Sequence, residues 1–308
     1  TKYTANAHRG DYAISAKVDN IYEGTRHKIK EFINANEDSE IVFTSGSTQS
    51  MNYIIFGFFA HKLQKDDEVL ITVSEHASNI LPWFVLANQI GIKVKYIELD
   101  EDYNVTIENV KKAITPKTKV ISLAHITNVI GDIRPIKEIS TLAHQHNIYM
   151  VVDAAQSIAH KKIDVTDWNI DFLVASAHKM YGPTGIGFLY GKFNLLEETI
   201  PQNYGGGMNA MFTKDGYYEL REVPTRFEAG TPNIEGVIGF NAALDYLNNL
   251  GLSKIEKYEH ELKTYLVNEL KKLDFIEVYN PNTIGTTVAF NLKDVFAQDT
   301  AIYLDKYH

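Results

Sequence analysis

The chain has 308 residues, of which 44% are hydrophobic, so it is long enough for one large α/β domain and part of a second. Its formal net charge of −9 comes without any block of like charges, which argues against nucleic acid or an anionic membrane surface as a partner. The sequence contains no cysteine, which excludes disulfides, thiolate metal sites and a thiol nucleophile within these residues, and we predict no bound metal.

The chain also lacks the patterns of targeting and membrane-spanning segments. Its first residues do not resemble a signal peptide, and no apolar run reaches the roughly 20 residues that cross a bilayer. We therefore expect a cytoplasmic protein.

Short apolar runs alternate with helix-like segments between residues 40 and 190. Nearly continuous apolar strands of this kind are buried on both faces of a sheet. We therefore predict an α/β fold with a mainly parallel, seven-stranded sheet covered by helices, and ligands at the carboxyl ends of the strands. The predicted strands are 41–43, 69–73, 94–97, 120–123, 148–152, 172–174 and 186–190.

The pattern changes after the last of these strands. Residues 201–232 are rich in glycine and aromatic residues, which predicts a long irregular segment. Beyond it the sequence predicts a smaller α+β domain, but two strands are too few to close such a domain, so we expect it to be incomplete. Its predicted helices are 237–249, 253–273 and 299–307, and its predicted strands are 275–279 and 286–290. The domain organisation follows as an N-terminal segment 1–15, a large domain 16–246 and a small domain 247–308.

A carboxylate and an amine follow two neighbouring predicted strands. Taken alone, Asp153 is explained as a helix cap and Lys179 as a surface charge. Together they meet the two needs of pyridoxal 5'-phosphate (PLP), a lysine that holds its aldehyde as a Schiff base and a carboxylate that keeps its pyridine nitrogen protonated. We therefore predict a PLP site in which Lys179 forms the Schiff base.

The phosphate of this cofactor also needs a binding site. Ser47 and Thr48 lie in a turn that follows the first strand and opens an apolar helix, where free N–H groups and hydroxyls bind phosphate well. Such turns are common helix caps, so the signal is weak by itself, and it gains weight from Ser176 and His178 beside the lysine.

Further polar residues follow other predicted strands. His76 should lie at the ligand edge, where an imidazole can stack on a flat ring, although a loop histidine without function explains the spacing equally well. The same two explanations apply to Asn128. His8 and Arg9 could bind a substrate carboxylate, but their spacing alone favours ordinary surface residues.

Three segments, 153–156, 176–187 and 226–233, carry a family resemblance. Together they resemble the class V aminotransferase superfamily, and within it the SufS-type (group II) cysteine desulfurases, over essentially the whole chain. The resemblance implies the aspartate aminotransferase-like fold (fold type I) and PLP as cofactor. It implies that Lys179 is the Schiff-base lysine and that Asp153 contacts the pyridine nitrogen. Gln156 would donate to the ring hydroxyl, His76 would stack on the ring, and Asn128 would lie near that hydroxyl and the substrate.

The resemblance also implies how the phosphate is held. Thr48, Ser176 and His178 would bind it within one subunit, and Thr231 would reach it from a second subunit. A homodimer is implied in consequence.

The activity implied by the resemblance is conversion of L-cysteine to L-alanine and a protein persulfide for iron-sulfur cluster assembly, with a SufU- or SufE-like sulfur acceptor. The last step needs a cysteine thiolate, which these residues lack. We expect the sequence to be incomplete, so that protein ending at His308 does not turn over cysteine. A class V aminotransferase or lyase without the thiol is the alternative, and a non-enzymatic scaffold is a third. The acceptor's identity and the preference between cysteine and selenocysteine stay open.

Overall fold

A seven-stranded sheet in the order β1-β7-β6-β5-β4-β2-β3 forms the centre of the molecule. Six strands point the same way and β7 is reversed, which confirms the predicted mainly parallel sheet. The computed structural model describes residues 13–282 and 285–307. It gives the strands of this sheet as β1 (Ile41–Thr44), β2 (Glu68–Ile71), β3 (Lys93–Tyr96), β4 (Thr118–Ala124), β5 (Tyr149–Asp153), β6 (Phe172–Ser176) and β7 (Gly187–Gly191).

The sheet is buried on both faces, as its continuous apolar strands predict. In β6, Phe172 and Val174 belong to one apolar layer, whereas Leu173 and Ala175 belong to the other. The direction of β7 follows from chain length, because residues 177–186 are fewer than the roughly twelve that a parallel crossover needs.

Helices cover both faces of the sheet. The helix α1 packs against α8 on one side. A π-helical turn, Ile55–Phe59, continues α2 into α3. Among the described helices none is long and apolar enough to span a membrane. The helices are α1 (Ala13–Phe32), α2 (Ser47–Ile54), α3 (Ala60–Lys62), α4 (Leu81–Ile90), α5 (Ile107–Ala113), α6 (Ile136–Gln145), α7 (Phe193–Glu198), α8 (Ile234–Leu250), α9 (Leu252–Leu270) and α10 (Ala297–Tyr307).

The segment 201–232 is more ordered than its composition predicts. It contains an antiparallel hairpin of β8 (Asn209–Phe212) and β9 (Tyr218–Leu220). Aromatic side chains of the hairpin are exposed, with Phe212 at 75% and Tyr218 at 58%. Residues 209–220 thus form a two-stranded ribbon, and the prediction of a long irregular segment is wrong for this part of it.

The C-terminal part of the chain forms a second, two-stranded antiparallel sheet of β10 (Ile276–Tyr279) and β11 (Ala289–Leu292). The last of these strands begins three residues later than the predicted 286–290. The helix α8 runs without a break through position 246, and the predicted domain boundaries stay predictions. His8 and Arg9 lie outside the described residues, as does most of the predicted segment 1–15.

Candidate active site

A cavity of about 170 Å³ lies at the carboxyl ends of β1, β2, β4, β5 and β6. The sequence analysis predicted ligand binding at this edge, and nine of the ten predicted site residues line the cavity. These nine are Ser47, Thr48, His76, Asn128, Asp153, Gln156, Ser176, His178 and Lys179.

Asp153 ends β5, with 4% of its surface exposed. Its Oδ1 accepts a hydrogen bond of 2.9 Å from the backbone N–H of Ala155. Burial raises the pKa of Asp153 above its ordinary value, and the charge of Glu75 raises it further. The N–H of Ala155 and the charges of Lys179 and His76 lower the pKa, but they offset only part of the increase. A buried carboxylate in this condition favours a cationic partner, which a protonated pyridine nitrogen would supply.

Hydroxyl and backbone N–H groups gather at the start of α2. The Oγ of Ser176 accepts a hydrogen bond of 2.8 Å from the backbone N–H of Ser47 and lies 2.8 Å from its Oγ. Gly46 precedes them with φ +147°, and a Cβ at this position would lie 3.1 Å from the Oγ of Ser176. Glycine therefore lets the turn approach the end of β6 closely. Hydroxyl and N–H groups in this arrangement are suited to binding the phosphate of PLP.

Lys179 lies half-buried in a 3₁₀ turn directly after β6. The carbonyl of Ala177 accepts backbone hydrogen bonds from Met180 at 2.7 Å and Gly182 at 2.9 Å. Met180 is fully buried and anchors the turn in the core. The backbone that carries Lys179 is therefore held in a tight turn, and its side chain lines the cavity.

The ring of His76 is held by Ser78, which sequence reasoning did not identify. The backbone N–H of Ser78 donates to Nδ1 of His76 at 3.2 Å, and the Ser78 hydroxyl lies 2.7 Å from the same nitrogen. Because Nδ1 accepts, the neutral imidazole carries its proton on Nε2. Asn128 and Gln156 are half-buried on the same cavity.

Thr231 is exposed and lies outside the cavity of its own chain. It precedes α8, where the Oδ1 of Asn233 accepts from the N–H of Gly236 at 2.9 Å and its Nδ2 donates to the carbonyl of Gly185 at 2.9 Å. Asn233 thus caps the helix and holds this segment close to the turn that follows Lys179. The predicted role of Thr231 in a second subunit stays a prediction.

Glu228, in the same segment, has a role that sequence reasoning missed. Its carboxylate accepts two hydrogen bonds from the buried guanidinium of Arg26, at 2.8 Å and 3.0 Å, and one of 2.8 Å from the backbone N–H of Phe43. Arg26 lies 202 residues earlier in the chain, so no local pattern signals the pair. The pair joins α1 and β1 to the segment that carries Thr231.

The known proteins that are similar to this chain include class V aminotransferases and cysteine desulfurases. The model of the family "Aminotransferase class-V" matches residues 1–308. A probable cysteine desulfurase of Halalkalibacterium halodurans is 43% identical over 306 residues, which cover 99% of this chain and 75% of that protein. A solved cysteine desulfurase from Thermococcus onnurineus NA1 is 36% identical with a TM-score of 0.92, over 99% of this chain and 76% of that one. A cysteine desulfurase structure from Escherichia coli is 34% identical with a TM-score of 0.91, over 98% and 75%.

Proposed function

Because the chain belongs to the aminotransferase class-V family, we propose that it is a PLP-dependent cysteine desulfurase that converts L-cysteine to L-alanine and transfers the sulfur to a thiol. The observation that carries the proposal is that Lys179 and Asp153 line the same cavity, together with hydroxyl and N–H groups at the start of α2. PLP is the cofactor of this family, which confirms the predicted cofactor.

The residues of the cavity divide the chemistry between them. When bound, PLP supplies a sink for the electrons of the substrate α-carbon. Lys179 would hold the cofactor, and its amine, when free, would move a proton at the substrate α-carbon. Asp153 would keep the pyridine nitrogen protonated, and His76 would cover the face of the ring. The cavity and the location of these groups support this assignment.

The remaining residues of the cavity would hold and orient the cofactor. Ser47, Thr48, Ser176 and His178 would bind the phosphate, because their hydroxyls and N–H groups lie together at the start of α2 and the end of β6. Gln156 and Asn128 would contact the ring hydroxyl. This set of polar groups would fix the position of the cofactor in the cavity.

Sulfur transfer requires a thiol that these 308 residues do not contain. We place that thiol outside them, so the chain as given would bind PLP but form no persulfide. The proposal includes the SufS-type subgroup, a role in iron-sulfur cluster assembly in the cytoplasm, and a SufU- or SufE-like acceptor. It also includes a homodimer, which is supported by the exposed aromatic hairpin and by the position of Thr231 outside its own cavity.

Trapping of the cofactor on its lysine tests the site. Protein incubated with PLP and then reduced with borohydride should carry one pyridoxyl group on Lys179, located by peptide mass spectrometry. Lys179→Ala should lose this label and the visible absorbance of the holoprotein. Lys254→Ala, which changes an exposed lysine of α9, is the matched control and should keep both. A label that persists in Lys179→Ala would show that another lysine is used.

Substrate turnover tests the reaction. The full protein, with PLP, L-cysteine and a reductant, should release sulfide and alanine in equal amounts. The absence of cysteine from these residues favours one alternative, a class V aminotransferase or lyase without the thiol. Conversion of other amino acids to keto acids, with no sulfide from L-cysteine, would select that alternative.

A further inference from the structure

A buried ionic cluster, formed by Glu75, Asp132 and Arg134, lies behind the cavity. The side chain of Arg134 is fully buried, and so are the side chains of both carboxylates that it contacts. Its Nη1 pairs with Oε1 of Glu75, and its Nε donates to Oδ2 of Asp132 at 3.2 Å. Removing two carboxylates and one guanidinium from water costs free energy, which only good ion-pair and hydrogen-bond geometry offsets. None of these three residues has a role in the proposed chemistry.

Glu75 connects the ends of β2 and β4. Its Oε2 accepts hydrogen bonds of 2.8 Å from Nδ2 of Asn79 and 2.8 Å from the backbone N–H of Ala124. Arg134 extends the connection, because its Nη2 donates to the hydroxyls of Thr72 at 2.8 Å and Ser74 at 2.9 Å. Glu75 directly precedes His76, so the cluster fixes the backbone from which the His76 ring projects.

Asp132 performs the equivalent task for the loop after β4. The Thr127 hydroxyl donates to Oδ1 of Asp132 and accepts from the N–H of Gly131 at 3.0 Å. These bonds close the loop 127–132, which carries Asn128 to the cavity. One guanidinium therefore joins the two segments that present His76 and Asn128.

We infer that Arg134 is a positioning residue, which through Glu75 and Asp132 sets the places of His76 and Asn128 against the cofactor. The inference deepens the proposed function and rests on it, because the cluster supports the residues assigned to contact the PLP ring. Glu75, Asp132 and Arg134 do not line the cavity themselves, so they form an outer layer of the site.

Charge gives Arg134 a second effect on the cavity. After burial and the opposing N–H bond from Ala155, the charge of Glu75 is the next influence on the pKa of Asp153, which it raises. Arg134 contacts Glu75 directly and opposes that charge. Without the guanidinium, the charge of Glu75 would act on Asp153 without an opposing cation and favour its protonated form, which holds a pyridinium less well.

PLP affinity of the apoprotein is the test, because it needs neither L-cysteine nor a sulfur acceptor. Arg134→Met should weaken PLP binding about tenfold, the lower end of the loss seen when the hydrogen-bond partners of metal ligands are removed. It should also change the visible circular dichroism of the bound cofactor. Arg134→Lys should lie between Arg134→Met and wild type, because an ammonium keeps the charge but cannot bridge both carboxylates as the guanidinium fork does.

Asp171→Asn is the matched control for general destabilisation. Asp171 is also buried and ion-paired, to Lys192 at 2.7 Å, but it precedes β6 at the opposite end of the sheet from the cavity. This variant should lower Tm and leave the Kd for PLP unchanged. A wild-type Kd in Arg134→Met would overturn the inference. A loss of PLP affinity in proportion to the fall in Tm, found in both Arg134→Met and Asp171→Asn, would also overturn it.

Thr127→Val provides a milder test if Arg134→Met does not fold. It removes the hydroxyl that bonds to Asp132 and Gly131 while keeping the shape of the side chain. A measurable rise in the Kd for PLP is expected, and no rise would overturn the role of Asp132. Failure of the wild-type protein to bind PLP would be a different result, which would refute the proposed function itself.

Discussion

The carboxylate of Glu228 is the best point at which to test how the cofactor site is attached to the rest of the fold. It accepts hydrogen bonds from both Nη atoms of Arg26, from the N–H of Phe43 and, at 3.0 Å, from the hydroxyl of Tyr22. The side chains of Arg26 and Glu228 are 3% and 9% exposed. The guanidinium also lies 4.7 Å from the centre of the Phe43 ring. Glu228→Ala removes all of the carboxylate bonds at once.

The size of the effect follows from what Arg26 retains. Its remaining partners are Glu23, whose side chain is 47% exposed, and the carbonyl of Ile41 at 2.6 Å. Removal of one partner from a buried ion pair lowers the free energy of unfolding by about 3–5 kcal/mol, because the other charge stays buried without that partner. Glu23 and the Ile41 carbonyl compensate the charge of Arg26 only in part, so we expect a loss at the lower end of this range. Replacement of both Arg26 and Glu228 by methionine should therefore be less damaging than Glu228→Ala alone.

Urea unfolding of the apoprotein, followed by tryptophan fluorescence, measures this difference. The matched control is Asp245→Ala, because Asp245 pairs with Lys28 at 2.6 Å but is 52% exposed. An exposed pair of this kind contributes about 0–1 kcal/mol. If Glu228→Ala lost no more stability than Asp245→Ala, the reasoning from burial would be refuted.

Two further predictions concern a buried histidine and a glycine. Burial lowers the pKa of His125 to about 3, from its ordinary value of about 6.5, and the charges of Lys161 and Arg134 add to the decrease. The unfolded state therefore binds a proton more readily, and the protein loses stability as pH falls from about 6.5 to about 3. His125→Phe should therefore lose less stability than wild type between pH 7 and 4.5, measured by urea titration, whereas an equal loss would contradict the shift. Gly46→Ala should lower the free energy of unfolding by about 1–3 kcal/mol, because φ +147° is open mainly to glycine, and should weaken PLP binding. Gly24→Ala, where a Cβ meets no atom within 4 Å, is its control, and an equal effect of the two would exclude backbone strain as the cause.

The sequence by itself determined the large sheet and most of the candidate site. Continuous apolar runs mark strands that are buried on both faces, and the residues directly after them lie at the carboxyl edge whatever the order of the strands. Asp153, Lys179 and His76 could be predicted in this way, since Asp153 ends its strand and the other two follow theirs within a few positions. Ser78 could have been found from its position two residues after His76, as a side chain able to bond an imidazole.

Only the tertiary structure decided which charges meet in the interior. Arg26 pairs with Glu228 across 202 residues, and Arg134 pairs with Glu75 across 59. Hydrophobic periodicity and turn chemistry are local, so they show that a residue faces inward or follows a strand but not which distant side chain it contacts. Because a buried charge is stable only with its partner, these pairings depend on the complete packing of the sheet and its helices.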